Sequence, residues 1–357
     1  MSTVPQRITG RLVRELAASC GFELAGVARP HPVPDFARFR DWVERGLAGE
    51  MRYLTDHRAD IREDPARLLP DVRSVICVGM LYNGPQPYST EFTDPERAWI
   101  ARYAWGEDYH DVVRAKLEQL ASKLMNLQEF KWRACVDTAP LLERSLARAA
   151  GLGWIGRNTC LINQAMGSWF FLGELLTTLE LEPDSPPPDR CGTCTRCIDA
   201  CPTQAIVPSA RAGYELDARL CISYFTIELR SAIPEPERAR VGNNVFGCDI
   251  CQDVCPWNRR AAISPDRMAD GFVSPSLDRM AGLSEQDFRN LFRGTPVTRA
   301  KYAGYLRNVA VAMGNAGLEK FRPALERLAR HADALVREHA EWALAKLGTA
   351  TGALRDV

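Results

Sequence analysis

Residues 191–202 read CGTCTRCIDACP, and this stretch decides how the middle of the chain can fold. Its four cysteines follow the spacing C-x2-C-x2-C-x3-C-P, which is typical of bacterial ferredoxin-type segments that wrap [4Fe–4S] clusters. In that pattern three thiolates hold one cube, and the fourth cysteine, which precedes the proline, holds a second cube. The stretch therefore predicts a segment that folds around two inorganic clusters.

A second cysteine run, GCDICQDVCPWN, occupies residues 247–258. Aligned by its proline, this run lacks the first ligand of the pattern, because Val245 stands at that position. Cys221 is the only other cysteine between the two runs, so it supplies the missing ligand. We therefore predict one cluster on Cys191, Cys194, Cys197 and Cys255, and another on Cys201, Cys221, Cys248 and Cys251.

Two structural zinc sites are the alternative to two iron–sulfur clusters. Zinc prefers two C-x2-C pairs that are separated by a longer loop, and a 2-2-3 run that ends in proline fits this poorly. Cys20, Cys77, Cys135 and Cys160 lie outside the two runs. Cys77 and Cys135 fall in apolar stretches that predict strands, where a buried and inert thiol is the expected role.

The length and composition indicate a soluble globular protein of two or three domains. The chain has 357 residues, of which 46% are apolar and 25% charged. Its formal net charge is zero, which does not indicate a strongly basic nucleic-acid binder over the whole chain. We find neither a secretory signal nor a run of about 18 apolar residues, so we expect a cytoplasmic protein without a membrane segment. In that compartment, twelve cysteines indicate metal binding or catalysis and not disulfides.

The first 183 residues alternate helical and strand patterns. Helices are predicted over 35–47, 108–127 and 140–153, and strands over 73–80, 132–137, 160–163 and 168–181. This alternation predicts an α/β or α+β sandwich in which helices cover a sheet. Asp137 ends a predicted strand just before a helix, at the edge where ligands bind in open α/β sheets. The prolines of DSPPPDR, at 184–190, then mark a linker.

After residue 280 the apolar residues repeat with helical period. The paired helices resemble a fragment of a HEAT-like repeat array, but there are too few for an independent solenoid, so they should dock on another domain. The predicted organisation is an α/β catalytic domain over residues 1–183, a ferredoxin-like two-cluster domain over 184–262, and a helical domain over 263–357.

Several longer stretches, taken together, closely resemble the epoxyqueuosine reductases, which complete the synthesis of queuosine in tRNA. The likeness runs from about residue 10 to 347 and includes the second cysteine run. Its further motifs are RYAWGEDYH (102–110), VDTAPLLERSLARAAGLGWIGRN (136–158), GSWFFLGELL (167–176), CISYFTIEL (221–229) and YLRNVAVAMGN (305–315). The family also looks similar to the reductive dehalogenases in its cofactor and ferredoxin domains.

The resemblance implies a cobalamin bound by the first domain, two [4Fe–4S] clusters and a tRNA substrate that carries epoxyqueuosine. It also implies an external low-potential electron donor of the ferredoxin or flavodoxin type, and a monomeric enzyme. The implied proton donor is Asp137, the aspartate of the VDTAPLLER motif. The residues by themselves also allow Asp137 to be the N-cap of the following helix, since Thr138 and Pro140 come next.

The resemblance implies cofactor and RNA contacts with less motif support. Contacts to cobalamin fall on Arg102, Tyr103, Leu161, Ile162, Asn163 and Leu172. A histidine axial ligand is not supported, because the motif DxHxxG is absent.

The C-terminal helices carry an excess of positive charge. Residues 293–347 contain ten Lys and Arg and five Asp and Glu, and such an excess suits contacts with the phosphates of an RNA. The alternative is that these charges belong to a helix face that is exposed to solvent. Contacts to tRNA are predicted on Arg299, Lys301, Arg307 and Asn308.

Two other functions stay open from the sequence. One is a ferredoxin-type electron carrier, which alone would not need an α/β domain of about 180 residues. The other is a cobalamin-dependent reductive dehalogenase that acts on a small molecule. The absence of a twin-arginine signal and the presence of the helical tail argue against this function. The absorption spectrum of the protein with added cobalamin would exclude a simple carrier if a corrin band changed on reduction.

Overall fold

A computed structural model of the protein describes residues 8–85, 87–211, 213–264 and 273–352, with side chains described to residue 348. The first region, up to residue 183, carries most of the sheet structure. Its strands are β1 (Leu24–Ala28), β2 (Ser74–Leu81), β3 (Trp99–Ile100), β4 (Trp132–Cys135), β5 (Trp154–Ile155), β6 (Leu161–Ile162) and β7 (Phe170–Thr177). Its helices are α1 (Gly10–Ala18), α2 (Phe36–Glu44), α3 (Arg52–Thr55), α4 (Arg58–Ile61), α5 (Tyr109–Met125) and α6 (Glu143–Ala149).

A four-stranded sheet in the order β1-β2-β7-β4 forms the centre of this region. All eight residues of β2 are buried, because helices cover both faces of the sheet. Alternate side chains of a strand point to opposite faces. Ile76 and Val78 therefore join the core beneath α1 and α5, whereas Val75 and Cys77 join the core beneath α6. The predicted sheet with covering helices is confirmed in outline.

The sheet differs from the prediction in strand direction. Every neighbouring pair of its strands is antiparallel, so the rule that places ligands at the carboxyl edge of parallel strands does not apply to Asp137. The strand expected over 160–163 is the short β6, which pairs with β5 outside the central sheet. The helix expected over 140–153 begins only at Glu143, because the chain first makes a tight turn after β4.

The cysteine-rich region, residues 184–262, is built from short elements. These are α7 (Arg196–Asp199), β8 (Ile206–Ser209), β9 (Gly213–Leu216), α8 (Glu235–Arg238), β10 (Asn244–Phe246) and α9 (Ile250–Asp253). Helix α7 packs against α9, which brings the two cysteine runs together. Strand β10 pairs in parallel with β3, so this region joins the first through a sheet as well as through the chain. The predicted linker at 184–190 contains no regular element.

The remaining described residues are helical. They form α10 (Leu277–Ala281), α11 (Glu285–Leu291), α12 (Lys301–Ala316), α13 (Arg322–Leu328) and α14 (Ala334–Gly352). Helix α12 packs along α14, and one continuous core joins Tyr305 and Phe321 to Trp99 of β3 and Phe246 of β10. The helices thus dock on the other two regions, as predicted. Within the described ranges, no helix combines the length and the hydropathy that a membrane crossing needs.

Arg307 and Asn308 lie at the centre of this docking surface. Both are fully buried, at 1% and 0% exposure. The Arg307 guanidinium donates to the carbonyls of Leu229 (3.0 Å), Ser231 (2.8 Å) and Phe225, and Asn308 donates to those of Thr226 and Val245 (both 2.8 Å).

The prediction that Arg307 and Asn308 bind tRNA is wrong, because neither has surface left for a phosphate. Their donors instead satisfy carbonyls of the segment that follows Cys221, including the π-helical turn Tyr224–Glu228, which would otherwise be buried without partners. The two residues therefore hold the Cys221 segment against α12.

Replacing Arg307 by methionine should destabilise the protein through these carbonyls. Buried acceptors left without a donor cost about 1–3 kcal/mol each, so we expect the free energy of unfolding to fall by roughly 3 kcal/mol. Urea unfolding of Arg307→Met measures the loss, and Arg330→Met, at an exposed position of the same region, is the matched control. Equal stability of the two variants would contradict the role of Arg307 as an interdomain clamp.

Candidate active site and cluster ligands

A cavity of about 490 Å³ opens where the first region meets the cysteine-rich region. Its lining combines carboxyl groups, Asp137, Glu143 and Glu228, with the predicted cluster ligand Cys221. Apolar and aromatic side chains complete it, among them Phe39, Trp42, Tyr53, Leu141 and Ile155. A concave, largely apolar site with a few converging polar groups is the usual form of a ligand pocket.

Asp137 is presented to the cavity by a strained turn. It follows β4 with φ at 45°, a left-handed conformation that side chains rarely adopt, and 40% of its side-chain surface is exposed. Its backbone N–H donates to Oε1 of Glu143 at 2.5 Å, which fixes the turn to the start of α6. The N-cap of α6 is Leu142, so the alternative that Asp137 caps this helix is wrong. Strain of this kind is concentrated at functional sites.

The Asp137 carboxylate belongs to a chain of charged groups. Its Oδ2 lies 3.0 Å from Nε2 of His110 and 3.6 Å from the guanidinium of Arg299. The other ring nitrogen of His110, Nδ1, lies 2.6 Å from Asp108. Arg299 in turn donates to Glu228 at 2.9 Å. His110 and Arg299 therefore lie among three carboxylates, of which Asp137 and Glu228 line the cavity.

These neighbours set the protonation of the site. Burial by itself would raise the pKa of Asp137, but the hydrogen bond from His110 and the charge of Arg299 outweigh it and lower that pKa. Burial would lower the pKa of His110, but the two carboxylates that contact the ring raise it. These contacts favour the carboxylate form of Asp137 and the imidazolium form of His110, with one proton between the two groups.

Glu143 and Glu174 lie on the inner side of this group of charged residues, and both carry a proton. Burial, together with the negative charge of Asp137, raises the pKa of Glu143 to about 8. Burial also raises the pKa of Glu174, which lies on β7 with no exposed surface, well above its usual range. Both carboxyl groups are therefore protonated at neutral pH, unlike Asp137.

The four thiols predicted for the first cluster lie together. Burial raises the pKa of Cys197 to about 11, and the sulfurs of Cys255, Cys191 and Cys194 are near enough to raise it further. Cys255 is likewise affected by Cys191 and Cys194. The fold thus brings Cys255 of the second run to the three cysteines of the first run, and its role as the fourth ligand stays a prediction.

The second predicted set also converges. Burial raises the pKa of Cys221 and of Cys248, and the nearby sulfurs include Cys201 for both residues. Cys251 lies near Cys248 and Cys221 and also near Cys160. Among the described residues, no three His, Cys, Asp or Glu side chains close on a single metal-ion position.

The residues predicted to contact cobalamin are placed elsewhere. Arg102 is buried and donates to the carbonyls of Gly84 and Pro87, with its guanidinium over the rings of Trp105 and Trp169. The other five are Tyr103, Leu161, Ile162, Asn163 and Leu172. Within the part of the chain that the structure describes, none of the six lines the cavity at Asp137.

The residues predicted to contact tRNA divide into three groups. Arg307 and Asn308 are buried, as described above. Arg299 lies at the cavity and pairs with Asp137. Lys301, the first residue of α12, is exposed and is the remaining candidate for an RNA contact.

Sequence reasoning missed the roles of His110, Glu143 and the ion pair of Arg299. His110 and Glu143 stand inside the quoted motifs RYAWGEDYH and VDTAPLLER, so the signal was present, but nothing in their spacing brings them to Asp137. Only the folded chain places the start of α5, the start of α6 and the loop before α12 around one aspartate.

Comparison with known proteins shows the family to which the chain is related. Residues 62–138 match the family model described as epoxyqueuosine reductase QueG, DUF1730, and residues 190–258 match a 4Fe-4S double cluster binding domain. The curated epoxyqueuosine reductase of Xanthomonas campestris pv. campestris is 45% identical over 343 residues, which cover 94% of this chain and 95% of the relative. The chain belongs to the epoxyqueuosine reductase family.

Further epoxyqueuosine reductases are similar along nearly the whole chain. The enzyme of Pseudomonas aeruginosa is 43% identical, with 94% of each chain covered. A crystal structure of epoxyqueuosine reductase with an epoxyqueuosine-modified tRNA-Tyr stem loop superposes with a TM-score of 0.84 at 29% identity, over 95% of this chain and 90% of that one. In this chain, the matched double-cluster segment, residues 190–258, contains the seven cysteines of the two runs and Cys221 between them.

Replacing Cys221 by serine should remove one of the two clusters, because Cys221 is the predicted ligand that neither run supplies. We expect the iron and sulfide of anaerobically prepared protein to fall from about eight of each towards about four. Cys248→Ser should affect the same cluster. Cys160→Ser is the matched control, since this thiol lies near the ligands but outside both predicted sets. Full cluster content in Cys221→Ser would show that the missing ligand is another residue.

Proposed function

We propose that this protein reduces the epoxide of epoxyqueuosine in the anticodon loop of tRNA, giving queuosine. The observation that carries the proposal is the cavity whose lining holds Asp137, the carboxylate paired with His110, together with the predicted cluster ligand Cys221. Family membership supports the reaction, and the related structure with a modified tRNA stem loop supports the substrate.

The proposed reaction removes one oxygen atom from the substrate. Both C–O bonds of the epoxide break, a C=C bond forms between the two carbons, and the oxygen leaves as water. The change consumes two electrons and two protons. The eight cysteines of the cysteine-rich region would hold two [4Fe–4S] clusters, which would supply the electrons one at a time, and an external low-potential donor of the ferredoxin or flavodoxin type would be their source.

Cobalamin fits the space beside Asp137. The main cavity adjoins a second one of about 950 Å³, and the two share Asp35, Arg38 and Ile155 in their linings. Leu141 and Ile155 would contact the corrin ring, while Arg38 and Arg157 would pair with the phosphate of its nucleotide. When bound, the cofactor supplies a strongly reducing centre next to the substrate.

The proton for the departing oxygen comes from the Asp137–His110 pair. Opening an epoxide puts negative charge on oxygen, and an acid placed at that oxygen lowers the barrier. Asp108 holds the imidazolium in position through Nδ1, and Arg299 keeps the Asp137 carboxylate at the wall of the cavity. When substrate excludes water, a charged pair is disfavoured relative to a neutral one, so the shared proton moves from His110 to Asp137.

The tRNA approaches the cavity along the loop that leads into α12. Arg299 of this loop reaches Asp137, and the exposed Lys301 lies two residues further along. A phosphate contact at Lys301 would therefore hold the RNA within reach of the cavity, and the modified base would leave the stacked loop to enter it.

Asp137→Asn should lose most of the activity and keep the fold and the clusters. The amide has the size of the carboxyl group but cannot carry the proton, and general acid catalysis contributes about 10²-fold to 10⁴-fold. Reduced, cobalamin-loaded protein is incubated with tRNA from cells blocked before this step, and nucleoside mass spectrometry follows the loss of one oxygen. Asp111→Asn, exposed on the same helix as His110, is the control. Turnover within a few-fold of wild type would exclude Asp137 as the donor.

Lys301→Gln should weaken tRNA binding and flatten its dependence on salt. Each phosphate contact that is lost lowers the slope of log affinity against log salt by about 0.7–0.9. Titrations of the stem loop at several salt concentrations measure this slope, and Arg330→Gln in the same region is the control for net charge. Equal slopes for the two variants would place the RNA on another face.

A further inference from the structure

The proposed reaction needs more protons than the Asp137–His110 pair holds. This inference rests on the proposed function, in which the same oxygen takes one proton when the first C–O bond opens and a second when it leaves as water. The pair shares one proton, so Asp137 has to be reloaded within the turnover. A site closed by RNA and cofactor limits the supply from bulk water, and a second proton source inside the protein is therefore required.

Glu143 is the acidic group in contact with the Asp137 segment. It stands in the first turn of α6, accepts the backbone N–H of Asp137 at 2.5 Å, and lines the same cavity. A proton can pass from its carboxyl group to that of Asp137 through the shared cavity without crossing the protein surface. Glu143 is thus connected to the donor by geometry and not only by sequence proximity.

Glu174 lies behind Glu143 in the centre of the sheet. It has no exposed surface, and its β7 position is paired with Cys77 of β2 on one side and Cys135 of β4 on the other. An ionised carboxylate is very costly at such a position, so Glu174 stays protonated. Neither oxygen of Glu174 has a hydrogen-bond partner in the structure, and its carboxyl group is near enough to Glu143 for each to influence the pKa of the other. The O–H of a protonated Glu174 is therefore available to a Glu143 anion, which it would stabilise when the Glu143 proton leaves.

The other groups that face Glu143 do not remove its proton at neutral pH. Burial is the strongest influence on its pKa, and the charge of Asp137 adds to it, whereas the backbone N–H of Asp137, the neighbouring Glu174 and Arg144 oppose both and leave the pKa at about 8. Further titratable or charged groups that face Glu143 or Glu174 come from β2, α5, β4 and the residue that follows α4. They are Arg62, Cys77, Tyr109 and Cys135.

We propose that Glu143, backed by Glu174, is the proton reserve that reloads Asp137 for the second protonation of the departing oxygen. Asp137 first gives its proton to the oxygen as one C–O bond breaks. Glu143 then protonates the Asp137 carboxylate, and Asp137 delivers this proton to the hydroxyl, which leaves as water while the C=C bond forms. Glu143 regains a proton from solvent when the product departs. The two electrons come from the low-potential donor through the clusters.

The substitution Glu143→Gln distinguishes a proton-transfer role of Glu143 from a structural role. The amide oxygen still accepts the N–H of Asp137, so the turn is retained, but the side chain no longer carries a transferable proton. We expect kcat to fall by about 10²-fold with an unchanged KM for the RNA. Glu143 is protonated below its pKa of about 8 and loses its proton as the pH rises through that value. The wild-type rate should therefore fall across this pH range, whereas the rate of the variant should not.

An infrared titration tests the reserve without turnover. The stretching band of a protonated carboxyl group should disappear from wild-type protein as pH rises through about 8, and Glu143→Gln should lack this change. Glu174→Gln should remove a second protonated-carboxyl band, one that persists to higher pH. Glu180→Gln, at a side chain that is 83% exposed, is the matched control and should keep both bands.

The outcomes distinguish this inference from the function on which it rests. Absence of oxygen loss with wild-type protein would overturn the proposed reaction, whatever the infrared spectra show. Wild-type turnover together with an unchanged rate and pH profile in Glu143→Gln would overturn the reserve. A loss of activity that is equal at every pH, with a raised KM or reduced cluster content, would assign Glu143 a structural role and would also overturn it.

Discussion

Cys255 lies with the first cysteine run and Cys201 with the second, so neither set of four thiols is complete until α7 and α9 pack side by side. Cys221 adds a further condition, because it comes from a separate segment. Carbonyls of that segment are held by Arg307 and Asn308 of the helical region. The cysteine-rich region therefore depends on the docked helices for the position of one of its thiols.

The same docking assembles the candidate active site. Asp137 comes from the turn after β4, Glu228 from the segment that follows Cys221, and Arg299 from the loop before α12, yet one chain of ion pairs joins them. A displacement of the helical region would separate Arg299 from Asp137 and loosen the Cys221 segment at once. The docked helices thus hold groups on both the acid side and the cysteine side of the cavity.

Carboxyl groups of the same chemical type take opposite protonation states within this site. Asp137 has two cations as neighbours and is a carboxylate, whereas Glu143 and Glu174 are desolvated with little compensation and are protonated. Divergent pKa values in neighbouring acids are how one site holds a ready base and a ready acid at neutral pH. Here the arrangement places a protonated carboxyl group, that of Glu143, next to the carboxylate of Asp137.

The sequence by itself determined the clusters and the family, because cysteine spacing acts over a few residues and long motifs survive in one chain. It also determined the principal helices and the buried strands β2 and β7, since apolar periodicity is local. The antiparallel order of the sheet, the burial of Arg307 and Asn308, and the meeting of His110, Glu143 and Arg299 at Asp137 were decided by tertiary structure alone. Those features depend on which distant segments of the chain become neighbours in the fold. The sequence does not show whether a charged residue faces solvent, a buried carbonyl or another charge.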